Sequence, residues 1–434
     1  MDITHLYSIY LQHPIISTDS RKIKPGSIFF ALSGSTFDGN IFAREAIQQG
    51  AVFSVVSDPT LMGDQFIYVE DTLHALQALA NYHRRQFNMP ILAITGSNGK
   101  TTTKELITTV LSGKFKVHAT VGNLNNHIGV PLTLLGITNE TEFVVCEMGA
   151  NHPEEIASLC TIAEPTHGLI TNIGKAHLEG FGSLAGVKKA KGELFDYIRD
   201  HNGFAFVNAD DQNLLDLAKQ LPQKITFGFN ASTLPDVNFS YSSTVGESGF
   251  TLSDNGSSLT LTSSMFGHYN ASNVLAAYVV GKFFGVEEKR IVEILAQFVP
   301  GSNRSEKLSY RNCTIIKDAY NANPSSMELA ITAFAEQFPH GWVVLGDMKE
   351  VGKESPAAHL HIINLIKSFS FDRVYIVGPD FHQAFESSAV SDVRFRTAMD
   401  IYSLRDKWNW DECQAKAILL KGSRSMRLEL LLEP

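Results

Sequence analysis

Residues 90–111 place a proline, an apolar run, a glycine-bearing loop and an amphipathic stretch in unbroken succession. They read Pro90, Ile91-Leu92-Ala93-Ile94, TGSNGKTTT, and then Leu106, Ile107, Val110 and Leu111 at helical spacing. The run predicts a buried strand and the spacing a helix with one apolar face. A strand delivered by a short loop straight into a helix commits the chain to a sheet with helices packed on it. The loop is Thr95-Gly96-Ser97-Asn98-Gly99-Lys100-Thr101-Thr102. The general phosphate-loop pattern, G-x-x-x-x-G-K-[ST], would put its first glycine at 94, where this chain has Ile94. What stands here is a tighter T-G-x-x-G-K-T. Backbone N–H groups at a helix start carry partial positive charge and suit an anion. Gly96 and Gly99 let the backbone close around phosphate oxygens, Lys100 would neutralise terminal phosphates, and the Thr101 hydroxyl could reach Mg²⁺. The plain alternative is a Gly, Ser and Asn turn before an ordinary helix. The strand–loop–helix context favours a nucleotide site, but kinases, motors, switches and ligases share such loops.

A chain of 434 residues exceeds one core, and roughly two to four domains are expected. Hydrophobic residues make up 44%, enough for several cores, and the formal net charge is −9 with no dense basic cluster. That balance disfavours a nucleic-acid partner. The four cysteines, Cys146, Cys160, Cys313 and Cys413, are scattered without metal-ligand spacing and read as free thiols in a reducing compartment. MDITHLYSIYLQHP lacks the basic start and apolar core of a secretory signal. No apolar run approaches the roughly 20 residues that span a bilayer. A soluble, cytoplasmic protein is expected.

Along the chain, residues 1–87 form a first unit with strand runs SIFFAL and AVFSVV and the helical stretch HALQALANYHRRQF. Residues 88–299 start at the loop and alternate strand with helix: EFVVCEM, HPEEIASLCTIA, HGLITNIG, LAGVKKAKGELFDYI, GFAFVNAD. Alternation of this kind predicts a parallel sheet with helices on both faces. From about Ile225 to Met265, TLSDNGSSLTLTSS alternates around Asn-Gly, a hairpin signal, and the segment is read as an antiparallel edge. Val299-Pro300-Gly301-Ser302-Asn303 reads as a linker. Residues 300–434 follow with CTIIKDAY, WVVLGDM, RVYIVG and AKAILLKGS, a further α/β unit.

Three constellations add to the loop. Glu147 ends the strand run of VVCEMGANHPEEI, where open α/β sheets bind ligands, and could hold Mg²⁺ rather than sit on the surface. His177 follows another strand end. Lys188, Lys189 and Lys191 on the next helix read either as a solvated basic face or as a lysine beside phosphates or metal. In KDAYNANPSSM, Asp318 ends a strand and Asn321 to Ser326 form an amide- and hydroxyl-rich helix start. It is either a well-capped helix or a set of donors for ribose, phosphate or peptide.

The ordered blocks ITGSNGKTTTKE, EMGANHPEEI, ITNIGKAHLEGFGS, KAKGELF, DAYNANPSSM, VLGDMKEVG and KGSRSMRLE resemble the Mur ligases of bacterial cell-wall synthesis over nearly the whole chain. T-G-x-x-G-K-T is similar to the loop this family uses. The resemblance implies three domains: an N-terminal α/β domain for the UDP end of a substrate, a central ATP-binding domain with the parallel sheet, and a C-terminal Rossmann-like domain for the amino substrate. It implies ATP and two Mg²⁺ ions as the nucleotide and metals, a monomer, and ligation through an acyl phosphate. The blocks are most similar to members that join D-alanyl-D-alanine to UDP-N-acetylmuramoyl-tripeptide.

By the same resemblance, Lys100 contacts phosphates, Thr101 and Glu147 hold one Mg²⁺, and His177 helps hold a second. Lys191 matches a lysine that is carbamylated in relatives. Asn270 and Asn273 resemble asparagines near the adenine, Arg304 a linker arginine that reaches the phosphates, and Asp318 an acidic residue near the ribose, with Asn321 and Asn323 in the same cleft. Thr18, Asp19, Ser20, Arg21 and Gly39 resemble the uridine-diphosphate site. Asn125 and Asn126 are expected at the tripeptide end, and Ser423 and Arg424 near the dipeptide. The diamino-acid-adding relative typically carries D-N-P-R in its last domain, which is absent here. Folylpolyglutamate synthase is disfavoured by the N-terminal domain and the DAYNANPSS block. A nucleotide-controlled switch would not need Glu147, His177 and Lys191 together.

Overall fold

The computed structural model describes residues 2–243, 249–256, 259–301, 303–388, 391–413 and 416–433. Ser302 of the expected linker and Ser257 and Ser258 of the expected hairpin turn lie outside the described residues. The chain packs as two compact units: residues 1–93, 115–150 and 154–168, and residues 94–114, 151–153 and 169–434.

In the first unit β1 (Ile16–Ser17), β2 (Ile28–Phe30), β3 (Phe53–Val56) and β4 (Phe66–Tyr68) form a parallel sheet in that order. Phe29, Ala31, Ala43, Ala46, Ala51 and Val56 make its core. The helix Thr72–Arg84 starts at Asp71, whose carboxylate accepts from the N–H groups of Leu73 and His74. At its far end the buried Arg84 guanidinium donates to the carbonyls of Ala163 and Glu164. Those carbonyls close the helix Glu155–Ala163, where a cation is favoured. β5 (Ile91–Thr95), β6 (Val117–Ala119), β7 (Phe143–Glu147) and β8 (His167–Ile170) follow. Here they lie in the order β8-β5-β7-β6 through the opening residues of β5 and β8, with β6 and β7 parallel. Every residue of β7 is buried, which is why FVVC reads as an unbroken apolar run rather than an alternation.

In the second unit the ends of β5 and β8 lead into β9 (Phe204–Asn208), β10 (Lys224–Gly228), β11 (Val237–Ser242), β12 (Phe250–Asp254) and β13 (Thr260–Ser263). The order is β13-β12-β11-β10-β9-β8. β10 is parallel to β9 and to β11, and β12 is antiparallel to both β11 and β13. The antiparallel edge therefore begins after β11, later than the Ile225 boundary read from the sequence, because β10 keeps the crossover connection of the strands before it.

A separate sheet holds β14 (Glu306–Tyr310), β15 (Cys313–Asp318), β16 (Trp342–Gly346), β17 (Arg373–Val377), β18 (Phe395–Ala398) and β19 (Ala417–Lys421), in the order β14-β15-β19-β16-β17-β18. Only the β14–β15 hairpin is antiparallel. β14 and β18 have no apolar run to announce them: each is a short edge strand, partly exposed. Phe334, Met327, Ile331, Val343, Leu345 and Ile362 pack one face of this sheet, and Ile315, Val344, Ile418 and Leu420 the other. All four cysteines are free and buried, and burial pushes the Cys146 thiol up to about 12.

Candidate active site

The loop between β5 and the helix Lys100–Leu111 is held from behind by the residues after β8. Ser97 N–H donates to the Asn172 carbonyl at 3.0 Å and Asn98 N–H to the Asn172 side-chain oxygen at 3.1 Å. The Asn172 amide and the Thr171 hydroxyl both donate to the Asn98 carbonyl. The Gly174 N–H donates to the Ser97 hydroxyl at 2.8 Å. With so many backbone groups fixed, the loop is preorganised for an anion. Gly96 (φ +142°) and Gly99 (φ +80°) are required here: a Cβ on Gly96 would lie 2.0 Å from the Thr171 hydroxyl, and one on Gly99 would lie 2.8 Å from the Asn273 side-chain oxygen. The Lys100 ammonium crosses the loop to the carbonyls of Gly96 (2.7 Å) and Ser97 (3.3 Å). Thr95 ends β5, and Thr101 and Thr102 are buried in the first turn of the helix.

Asn270 and Asn273 lie buried on the helix His268–Phe283. Asn273 accepts from the Thr103 hydroxyl at 3.1 Å and donates to Asn270, which donates to the Phe266 carbonyl. The oxygen of the Asn273 amide braces the loop helix while its nitrogen is held by Asn270 of its own helix, a role the sequence reading did not give it. Lys188 pairs with Asp216 at 3.0 Å and Lys189 is exposed, as a solvated basic face would be. Lys191 on the same helix is 0% exposed, with its ammonium 5.1 Å from the centre of the Phe181 ring.

From the last sheet, the strand ends converge on this loop. Asn323 caps the helix Pro324–Gln337 and donates to the Asn98 side-chain oxygen at 2.7 Å. The Ser325 hydroxyl accepts from Lys175 N–H at 2.9 Å. Asp318 accepts from Lys421, a 2%-exposed lysine that sequence reading missed, at 2.7 Å, and from the Ser305 N–H. The Arg304 guanidinium stacks 3.8 Å from the centre of the Tyr320 ring, and Asn321 is exposed. Ser423 is buried and ties three strand ends together: its hydroxyl accepts from Lys349 N–H and reaches the Ala322 carbonyl, and its N–H donates to the Asp347 carbonyl. Arg424 instead pairs with Glu429, half exposed.

Sequence reasoning also missed the residues after β16. His177 Nδ1 and Glu350 Oε2 lie 2.7 Å apart. The hydrogen bond from His177 holds Glu350 below its usual range, aided by the charge of Lys100 and opposed by burial. Asp347, His359 and Asp380 lie close enough to share a cation. Lys349 supplies it, at 3.1 Å from Asp347 and 2.8 Å from Asp380. Burial opposes the charge on Lys349, and these hydrogen bonds outweigh it, so the ammonium is held above its usual range. The His359 Nδ1 faces the Ser355 carbonyl, which can only accept, so Nε2 is the acceptor for Met348 N–H at 3.0 Å.

In the first unit, Glu147 is 1% exposed and accepts from the Asn125 amide at 2.8 Å. Asn126 accepts from Ile128 and Gly129 N–H and so opens the helix Gly129–Leu134. Asp19 grips Arg21 through two hydrogen bonds, which lower its carboxyl to about 2. Thr18 and Ser20 flank it, half-buried. Gly39 is needed where it stands, since a Cβ would lie 2.2 Å from the Leu32 carbonyl oxygen.

The Thr101 hydroxyl and Glu147 carboxylate are hard oxygen donors of the kind Mg²⁺ takes, and an imidazole backed by a carboxylate is a usual metal ligand. Each donor, taken by itself, is of a kind that takes divalent metal.

A preorganised phosphate loop on an α/β sheet, met by the strand ends of a Rossmann-like sheet, defines a nucleotide-using α/β enzyme. Residues 94–281 match the Mur ligase middle domain, 303–424 the Mur ligase glutamate ligase domain, and 14–84 the Mur ligase family catalytic domain. The UDP-N-acetylmuramoyl-tripeptide--D-alanyl-D-alanine ligase of Escherichia coli (strain K12) is 38% identical, over 95% of this chain and 92% of that protein. Its counterpart in Bacillus subtilis (strain 168) is 33% identical, over 95% and 91%. A crystal structure of MurF from Acinetobacter baumannii superposes with a TM-score of 0.86 at 31% identity, covering 96% of this chain and 92% of that one. MurF ligase from Thermotoga maritima in complex with ADP gives 0.84 at 27% identity, covering 98% and 97%. The chain belongs to the Mur ligase family.

Proposed function

We propose that this protein is an ATP-dependent ligase that joins D-alanyl-D-alanine to UDP-N-acetylmuramoyl-tripeptide, giving the UDP-linked pentapeptide precursor of peptidoglycan. The observation that carries this is the braced T-G-x-x-G-K-T loop, with Lys100 across it, in a chain 38% identical to a ligase of that name. The tripeptide's terminal carboxylate attacks the γ-phosphorus of ATP. An O–P bond forms, the bond to the ADP oxygen breaks, and an acyl phosphate results. The dipeptide's amine then attacks the acyl carbon, the tetrahedral intermediate expels phosphate, and the amine proton passes to solvent.

Within this reading the amides of Gly96, Gly99, Lys100 and Thr101 and the Lys100 ammonium orient the phosphates, while those of Ser97 and Asn98 stay on Asn172. Thr101 and Glu147 would hold one Mg²⁺, and His177 with a carbamylated Lys191 a second. Bound metal would offset the charge that builds in phosphoryl transfer. Arg304, Asp318, Asn321 and Asn323 serve the nucleotide, with Asn270 and Asn273 bracing its loop. Asn125 and Asn126 serve the tripeptide end, Ser423 and Arg424 the dipeptide, and Thr18, Asp19, Ser20, Arg21 and Gly39 the UDP. The working division is into domains 1–87, 88–299 and 300–434, in a cytoplasmic monomer. Among the described residues, no helix is long and apolar enough to cross a membrane.

Phosphate release from ATP and Mg²⁺ tests the reading. It is expected only when UDP-N-acetylmuramoyl-tripeptide and D-alanyl-D-alanine are both present, with a UDP-pentapeptide product by mass. Silence with both, in a folded protein that binds ATP, would overturn the substrate assignment. Lys100→Ala is expected to abolish release without changing the melting temperature.

A further inference from the structure

The pair formed by His177 and Glu350 is not an ordinary surface contact. Glu350 is half exposed, and a pair of flexible side chains in that setting contributes little. Here the backbone is committed as well. His177 and Glu350 are both non-glycine residues in left-handed conformation, at φ +49° and φ +63°. Two residues on, Gly352 is also left-handed, and a Cβ there would lie 3.2 Å from the Glu179 side chain. Strain of this kind persists only where the surroundings impose it, and it concentrates at functional sites. On its other side the segment is pinned by Lys349, whose N–H donates to Ser423 and whose ammonium bridges Asp347 and Asp380. Glu350 is therefore delivered to one nitrogen of His177 by a fixed loop. A carboxylate accepts only, so Nδ1 carries the proton, and Nε2 is the nitrogen left for another partner.

We propose that Glu350 is a positioning residue for His177: it fixes the tautomer and orientation that present Nε2 as a metal ligand, and it does so from the loop after β16. The inference rests on the reading of His177 as a metal ligand. It makes the site depend on residues 347–352 being seated against 177–181.

The test is Mn²⁺ binding to the full-length protein with ADP, followed by the electron paramagnetic resonance signal of free Mn²⁺. Wild type, Glu350→Ala, Glu350→Gln and His177→Ala are compared, with melting temperatures as the control for folding. His177→Ala is expected to lose one Mn²⁺. Glu350→Ala should weaken that same ion about tenfold or more, the usual effect of removing such a partner. Glu350→Gln keeps an acceptor oxygen and should stay within about threefold of wild type. Unchanged affinity in Glu350→Ala while His177→Ala loses the ion would overturn this inference alone. Equal loss in the Gln and Ala variants would overturn it too. An unchanged ion count in His177→Ala would overturn the metal assignment beneath it, whatever the phosphate-release assay reports.

Discussion

Gly96 meets two demands at once, a left-handed backbone and a close neighbour. Its φ of +142° and the 2.0 Å approach of a Cβ to the Thr171 hydroxyl leave no room for alanine. Gly96→Ala is expected to weaken ADP binding about tenfold or more, since strain of roughly 1–3 kcal/mol must be relieved by moving the loop. Calorimetric titration with ADP checks this, and wild-type affinity would show that the loop geometry is not what binds phosphate. The glycines and Lys100 were legible in the sequence because they are contiguous. Thr171, Asn172 and Asn273, which brace them, were not legible as braces. They lie some 70 to 170 positions away, and an amide that hydrogen-bonds a loop has no local pattern. Glu350 was hidden for the same reason: only the fold brings VLGDMKEVG to His177.

At the scale of elements, β8 opens with His167, whose ring is lowered by burial from 6.5 to about 4. Between those values the unfolded chain binds a proton that the folded chain refuses. Stability therefore rises with pH across this window and is lost as pH falls from 6.5 toward 4, by at most about 3 kcal/mol. Buried His83, also lowered by desolvation, acts in the same direction. Urea midpoints at pH 7 and pH 4.5 measure the slope, and His167→Gln should flatten much of it. An unchanged slope in that variant would assign the acid sensitivity elsewhere. The strands with unbroken apolar runs, such as β5, β7 and β16, were legible because every one of their residues is buried. The edge strands were not, since pairing rather than hydrophobicity makes them.

For the whole molecule, the sequence foretold α/β sheets in series, and the strand ends of the last sheet supply Asn323, Ser325 and Glu350 to the loop region. A ligase that must exclude water from an acyl phosphate is expected to close over its substrates. Adding an ATP analogue and UDP-tripeptide should contract the solution scattering profile, and an unchanged profile would count against closure. The burial of every native cysteine makes a finer version of that measurement practical. Thiol-directed dyes should ignore the folded wild-type chain, so a surface cysteine introduced in each of two domains would take the label without first stripping the native ones. The spacing between two such dyes would then follow the enzyme through its cycle, one molecule at a time.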